Sequence, residues 1–399
     1  METLVELYVN EQFDDLAAAL TFRPRRTVFL TTGQVPDRTA REGILRFLRG
    51  IDPEAQAEFI NVGDRSIETL FRKIDEVFKK YPDCAVEMTG GSASVLIAAE
   101  RYCGKRRVKS FYFDSRKGKF RNIYGMASEI ARTRIPALDV GQLISMGGGV
   151  KTGCGHTTAP LSENAELIRG ILDIYSRHLL DWNAFSEYLQ FACRSYCDTR
   201  NQYFCAPSAL LNRKNLLFAN RRILNELVGI GALREYLTDG ENISFYFENS
   251  YVREVLTTVG MCLELYIYTA AKDSGLFDSV EMSVVFDWDG VIKGDMNDTV
   301  NELDVVMTKG LSSVFVSCKT ARPDTRDLYE ITYLAGKFGG RNARAALATA
   351  YDLSGASWAN YLRARDMGLT VIEMADIMQG RERVVELLLS PEWLSERPE

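Results

Sequence analysis

Apolar and polar positions follow different rhythms in successive parts of this chain. Between residues 25 and 104, short β-rich apolar runs alternate with stretches whose apolar residues recur three and four apart. RRTVFLTTGQ (25–34) reads as a strand that stops at Gly33, and TAREGILRFLRG (39–50) as a helix with Ile44, Leu45, Phe47 and Leu48 on one face. AQAEFINVGD (55–64) gives a second strand, SIETLFRKIDEVFKKYP (66–82) a helix capped by Ser66, and CAVEMTGG (84–91) a strand running into the helix SASVLIAAERYCG (92–104). Such alternation predicts a mainly parallel sheet with helices on both faces, a class that binds ligands at the carboxyl ends of its strands. A hairpin is expected over 108–126, and Gly147, Gly148 and Gly149 mark a flexible break and the first boundary.

From 160 to 245 the pattern is mostly helical, through SENAELIRGILDIYSRHLLDWNAFSEYLQFACRSY and then NRRILNELVGIGALREYL, which stops near Gly229 and Gly231. ENISFYFEN follows and alternates like a strand. Helices ahead of a short β-run fit either a winged-helix-like module or a plain helical connector. In the last third, YVREVLTTVGMCLELYIYTAAKDSG (251–275) reads as one helix and EMSVVFDWDG as a strand. NELDVVM and SSVFVSCKT then read as strands joined at Lys309 and Gly310, ahead of the helix DTRDLYEITYLAGKFGG. A helix, antiparallel strands and another helix make an α+β domain with its own core.

Bulk properties narrow the chemistry. The 399 residues favour two or three domains, and a net charge of -6 means that any nucleic-acid surface is local. The N-terminus lacks a signal-peptide pattern and no run of about 18 apolar residues occurs, so a cytoplasmic protein without membrane contact is expected. Eight cysteines in so long a chain are no disulfide framework, and Cys193, Cys197 and Cys205 lack the paired CxxC spacing of a zinc site. His156 and His178 are the only histidines, so catalysis here rests on carboxylates, lysine or a metal rather than an imidazole base.

Charges inside the apolar strands are the candidate chemistry. Alternation puts Ser313, Phe315, Ser317 and Lys319 on one face of SSVFVSCKT and Val314, Val316 and Cys318 on the other, the core side. It also groups Glu302, Asp304 and Val306, and pairing through the turn brings Asp304 and Lys319 to one end of the sheet. Glu264 lies mid-helix among apolar neighbours, where a charge is expensive unless it is paired or binds metal. Two acids and a lysine at one sheet edge suit phosphodiester hydrolysis, with Mg²⁺ or Mn²⁺ held by carboxylate oxygens and the lysine neutralising developing charge. Arg322, Arg326, Lys337, Arg341 and Arg344 follow as positive charge for a polyanion. The competing reading is a surface hairpin with an ordinary ion pair.

GMCLELYIY, NELDVV and FVSCKT, with DLYEITYLAGKFGG behind them, resemble the PD-(D/E)xK nuclease fold of CRISPR ancillary nucleases, where it follows a CARF domain. The resemblance implies an α/β chain: a Rossmann-like CARF sensor over 1–150, a winged-helix-like middle over 151–245 and a restriction-endonuclease-like α+β domain over 246–399. It assigns Glu264, Asp304 and Lys319 as catalytic positions, with Glu264, Asp304 and Glu302 toward the metal. The family usually has an acid two residues before the lysine; here that position is Ser317, a much poorer ligand. MTGGSASVL resembles the CARF ligand loop: Thr89 and Ser92 offer hydroxyls, and Gly90 and Gly91 let backbone N–H groups approach phosphate. Thr31, Thr32 and Gly33 end a strand at the same edge. The implied activator is cyclic oligoadenylate, most often the tetramer, bound across the two-fold axis of a homodimer; the implied substrate is DNA, RNA or both. Two other functions are open at this point: a ligand-responsive nucleic-acid-binding regulator whose nuclease domain has decayed, or a messenger-independent restriction or repair nuclease.

Overall fold

A computed structural model describes residues 1–389 apart from 10–11, 34, 64–65, 115–116, 155–157, 214 and 293–298. The N-terminal part holds a six-stranded sheet in the order β3-β2-β1-β4-β5-β6. Its strands are β1 (Thr3–Leu7), β2 (Arg26–Thr31), β3 (Gln56–Asn61), β4 (Cys84–Glu87), β5 (Lys109–Asp114) and β6 (Lys119–Tyr124). All pair in parallel except β5 with β6, the expected hairpin. The first expected strand is therefore the second: β1 precedes it, followed by a helix over Gln12–Phe22. All five β1 residues are buried, so this strand has no polar face to produce an alternating signal. Because the chain runs outward from β1 to β3 and then crosses back to β4, the crevice at a reversal of strand order lies beside β1.

The break at Gly147–Gly149 is a packing joint. A methyl on Gly147 would collide with Phe338, and one on Gly149 with Asp287 and Phe338, so the chain crosses the C-terminal domain in van der Waals contact. It then forms β7 (Val150–Cys154), which pairs antiparallel with β14 (Ser279–Asp287) of the C-terminal sheet.

Residues expected to be mostly helical carry helices over Ala165–Arg177, Leu179–Tyr196 and Arg221–Gly229, and also strands. These are β8 (Cys197–Asp198), β9 (Tyr203–Pro207), β10 (Ala209–Asn212), β11 (Asn215–Phe218), β12 (Leu233–Thr238) and β13 (Asn242–Phe247). They form a four-stranded sheet β12-β13-β9-β8 and the separate hairpin β10-β11. Strands of two to six residues are too short to show a period of their own beside long helices. The first two helices meet at His178, which is buried, with Nε2 2.7 Å from Glu226 Oε1. His156 lies outside the described residues.

The C-terminal sheet runs β18-β17-β16-β15-β14-β7, adding β15 (Val300–Lys309), β16 (Ser312–Lys319), β17 (Ala343–Thr349) and β18 (Thr370–Ile372). The β15–β16 turn falls at Gly310, φ +57°, as the sequence predicts. Both faces of β16 are buried, contrary to the one-sided expectation: Val314 and Val316 pack with the helix Met261–Asp273, Phe315 with the helix Thr325–Gly339. That second core is continuous with the N-terminal domain, for it also contains Phe13, Ile44, Phe47 and Leu143. No helix among the described residues is long and apolar enough to cross a membrane.

Candidate active site

The helix read as continuous over 251–275 breaks into Ser250–Thr257 and Met261–Asp273, with Gly260 at φ +99° between them. Glu264 therefore sits in a first turn and not in mid-helix. On the neighbouring sheet, Met282 pairs with Val305 and Val284 with Leu303, while Val305 pairs with Val316. Extending these registers sets Asp304 between Ser283 of β14 and Ser317 of β16.

Strict alternation fails at this point. Leu303 and Val306 enter one core while Val305 and Met307 enter the other, so Glu302, Asp304 and Val306 do not share a face in the simple way expected. Ser283 is fully buried with φ +49°, an unusual conformation for serine that costs roughly 1–3 kcal/mol. Its hydroxyl donates to Glu264 Oε2 at 3.3 Å. The strained turn of β14 thus aims a donor at the helix acid.

Asp304 accepts from the Cys318 backbone N–H at 2.6 Å and from the Ser317 hydroxyl at 3.4 Å. Burial raises its carboxyl above the usual range, against the opposing pull of the Cys318 N–H bond and Lys319. Glu264 is pushed up to about 7, by burial first and then by the charge of Asp304, with the Ser283 hydrogen bond opposing. Lys319 lies 3.4 Å from Asp327. Its burial favours the neutral form, but Asp304, Asp327 and Glu330 outweigh that and hold the ammonium above its ordinary value.

A cleft of about 70 Å³ is lined by Glu302, Asp304, Ser317, Lys319, Asp327 and Glu330. Glu302 stands exposed at its rim. Among the described residues no three acids, histidines or cysteines are gathered into a ready-made metal set. What exists is a pair of desolvated carboxylates, each with a serine hydroxyl beside it: Ser283 at Glu264 and Ser317 at Asp304. That donor set fits Mg²⁺ or Mn²⁺, hard ions that take one or two carboxylates and complete their shell with water and substrate phosphate. Asp327 and Ser283 were not legible beforehand: one reads as an ordinary first-turn acid, the other as a strand residue.

The expected polyanion charges divide. Arg344 turns inward to the carbonyls of Leu387 and Leu388 and the Thr370 hydroxyl, and Lys337 lies over the Trp288 ring at 4.9 Å. Arg322 donates to the Ser357 hydroxyl at 3.0 Å.

At the edge of the N-terminal sheet the ends of β2 and β4 flank β1. Thr31 is fully buried and its hydroxyl has no hydrogen-bond partner among the described residues, while Thr32 and Gly33 lie nearer solvent. The Thr89 hydroxyl is already engaged, donating to Glu87 and accepting from Phe113 N–H at 2.8 Å. Gly90 and Gly91 press on β1: a methyl on the first would lie 2.5 Å from Leu7 O, and the second has φ +96°. Ser92 precedes the helix Ala93–Arg106 without making a side-chain cap, so its exposed hydroxyl and the open helix N-terminus are the available donors here.

Residues 251–390 match the family of Card1-like endonuclease domains. The whole chain shares its fold with protein VC1899 from Vibrio cholerae, at TM-score 0.71 and 15% identity over 97% of this chain and 98% of that one. It is also similar to Can2 from Sulfobacillus thermosulfidooxidans, solved in complex with cyclic tetra-adenylate, at TM-score 0.65 and 16% identity over 98% and 100%. No curated protein matches the chain in sequence. The family match covers the C-terminal third of the chain. Over nearly its whole length the chain has the fold of those two solved structures.

Proposed function

We propose that this protein is a metal-dependent endonuclease of type III CRISPR defence, activated by cyclic oligoadenylate, with the tetra-adenylate as the first ligand to test. The observation that carries the nuclease half is the desolvated pair Glu264–Asp304 beside Lys319, inside the region that matches an endonuclease family. Glu264 and Asp304 would hold Mg²⁺ or Mn²⁺, with Glu302 at the rim, and the ion when bound supplies Lewis-acid polarisation of a phosphodiester. Lys319 stays protonated and neutralises charge developing on the phosphoryl oxygens. The Ser317 hydroxyl and Cys318 N–H fix the orientation of the Asp304 carboxylate.

The likeness to a Can2 structure holding cyclic tetra-adenylate supports the activator, together with the loops at Thr32–Gly33 and Thr89–Ser92. A ring with internal symmetry fits a homodimer axis. The core shared by sensor and nuclease gives activation a physical route, provided that the ligand binds the active arrangement more tightly. The test is incubation of plasmid DNA and single-stranded RNA with the protein, Mn²⁺ or Mg²⁺, and cyclic tetra-adenylate, each omitted in turn. Cleavage is expected only with metal and ligand together; a folded dimer that cuts neither polymer removes the reading.

A further inference from the structure

The helix Thr325–Gly339 does more than wall the cleft. Its buried stripe is Leu328, Ile331, Leu334 and Phe338, and Asp327 and Glu330 line the cleft. Its outer face carries Tyr329 and Tyr333, 56% and 64% exposed, one turn apart. Exposed aromatics scattered singly are ordinary, whereas neighbours on one face form a patch of the kind that marks an interaction site.

Tyr333 is also fixed in place. Its ring lies flat against Trp288, with centroids 5.6 Å apart and planes 5° from parallel. Trp288 is held in turn by the edge of Phe338 at 5.3 Å and by Lys337 above its ring. At the helix's other end a second stack, Trp358 on Tyr361 at 5.3 Å, is anchored by Asn360 on Pro323 O at 3.0 Å and Arg363 on the Thr325 hydroxyl at 2.8 Å. Arg326 and Arg365 are exposed along the same row, interspersed with Asp324 and Asp366. Asp327, which meets Lys319, lines the cleft. Tyr333 lies six residues further on, roughly 9 Å along the axis and about a third of a turn around it, a separation that a few nucleotides of extended strand span.

We propose that Tyr329 and Tyr333, the latter backed by Trp288, form a stacking subsite for unpaired bases of the substrate strand, which the Trp358–Tyr361 pair extends. A duplex keeps its base faces stacked internally and offers none to such a row, whereas an unpaired strand offers one at every nucleotide. Continuity with the cleft wall favours nucleic acid over a protein partner; Arg326 is paired with Asp324 at 3.4 Å, so stacking and not charge is the row's contribution. The proposal rests on the nuclease reading above.

The test uses the full-length protein with cyclic tetra-adenylate and Mn²⁺, and one labelled oligonucleotide both alone and annealed to its complement. Binding is read separately, without metal, from quenching of 2-aminopurine placed in the single strand. Tyr333→Ala should lower single-strand cleavage roughly 5- to 100-fold more than duplex cleavage and abolish the quenching, while Tyr333→Phe, which keeps the ring, should restore both. Equal losses on both substrates, a Phe variant as impaired as the Ala variant, or unchanged quenching would overturn the subsite while the wild type still cuts. A row that serves a protein partner gives that last result. A folded wild type that neither cuts nor binds either oligonucleotide overturns the nuclease reading and the subsite with it.

Discussion

The proposed catalytic cleft and the proposed sensor edge both lie at strand ends, yet their polar groups are left in opposite conditions. Asp304 lines the cleft half-buried with the half-buried Glu264 near it, and Lys319 is shared with Asp327. At the sensor edge, Thr89 is bonded on both sides and Gly90 and Gly91 are wedged on β1, leaving Ser92 and the helix N-terminus as donors. On the proposed function, the cleft keeps charge in an unfavourable setting that a bound cation and phosphate would relieve, and the edge keeps a shape that a bound anion would fit. A disturbance should therefore show as chemistry in one region and as ligand affinity in the other.

The largest effect belongs to the cleft. Lys319→Ala and Asp304→Asn should each lower activated cleavage about 100- to 1000-fold, read as kcat on supercoiled plasmid with Mn²⁺. Calorimetric binding of cyclic tetra-adenylate should persist in both. A normal rate in either variant would place the chemistry elsewhere.

The second effect is one of stability in the metal-free protein. Glu264 binds its proton more tightly folded, at about 7, than at its ordinary 4.5. The folded state is therefore favoured at low pH and loses up to about 3 kcal/mol as pH rises from about 4.5 to 7. Burial of Asp304 acts with the same sign. Urea titrations between pH 5 and 8 should show this slope, Glu264→Gln should flatten it, and Mn²⁺ should stabilise the wild type more at pH 8 than at pH 5. A flat wild-type profile would mean that the acids are not desolvated as described.

The contrast also explains how much was legible in advance. Asp304, Lys319 and Glu264 stood out because charges in apolar runs break a pattern, and the turn at Gly310 followed from glycine's freedom. The kink at Ser283 and the switch of faces after Leu303 were hidden, since sequence period assumes a regular strand and these β-strands are irregular where the site forms. Likewise β1, buried on both faces, carries no alternation, and the break before Glu264 hung on the single residue Gly260. At the sensor edge the glycines were visible, but not that they pack against Leu7, which is remote in sequence.

A smaller effect should appear at that edge. Gly90→Ala forces a methyl onto Leu7 O, an overpacking of about 1–3 kcal/mol confined to the end of β1 and its loop. The activator concentration for half-maximal cleavage should rise roughly 10- to 100-fold, with the maximal rate kept at saturating ligand. A fall in maximal rate without a shift in that concentration would show that the two regions are less separate than their geometry implies.

The smallest effect tests the position where an acid is missing. The Ser317 hydroxyl makes a 3.4 Å bond to Asp304, and the Cys318 N–H makes a shorter one at 2.6 Å. Ser317→Ala removes only the weaker of two bonds, so cleavage should fall about 2- to 10-fold, mainly through a higher Mn²⁺ requirement. Ser317→Glu adds a third carboxylate to a pair that is already under-neutralised. Without metal it should destabilise the fold more at pH 8 than at pH 5; with metal it should equal or exceed the wild-type rate at lower Mn²⁺. Metal titrations of cleavage for both variants check this. An Ala variant with unchanged Mn²⁺ dependence would show that the cleft does not use this hydroxyl, and that Cys318 alone sets the Asp304 carboxylate.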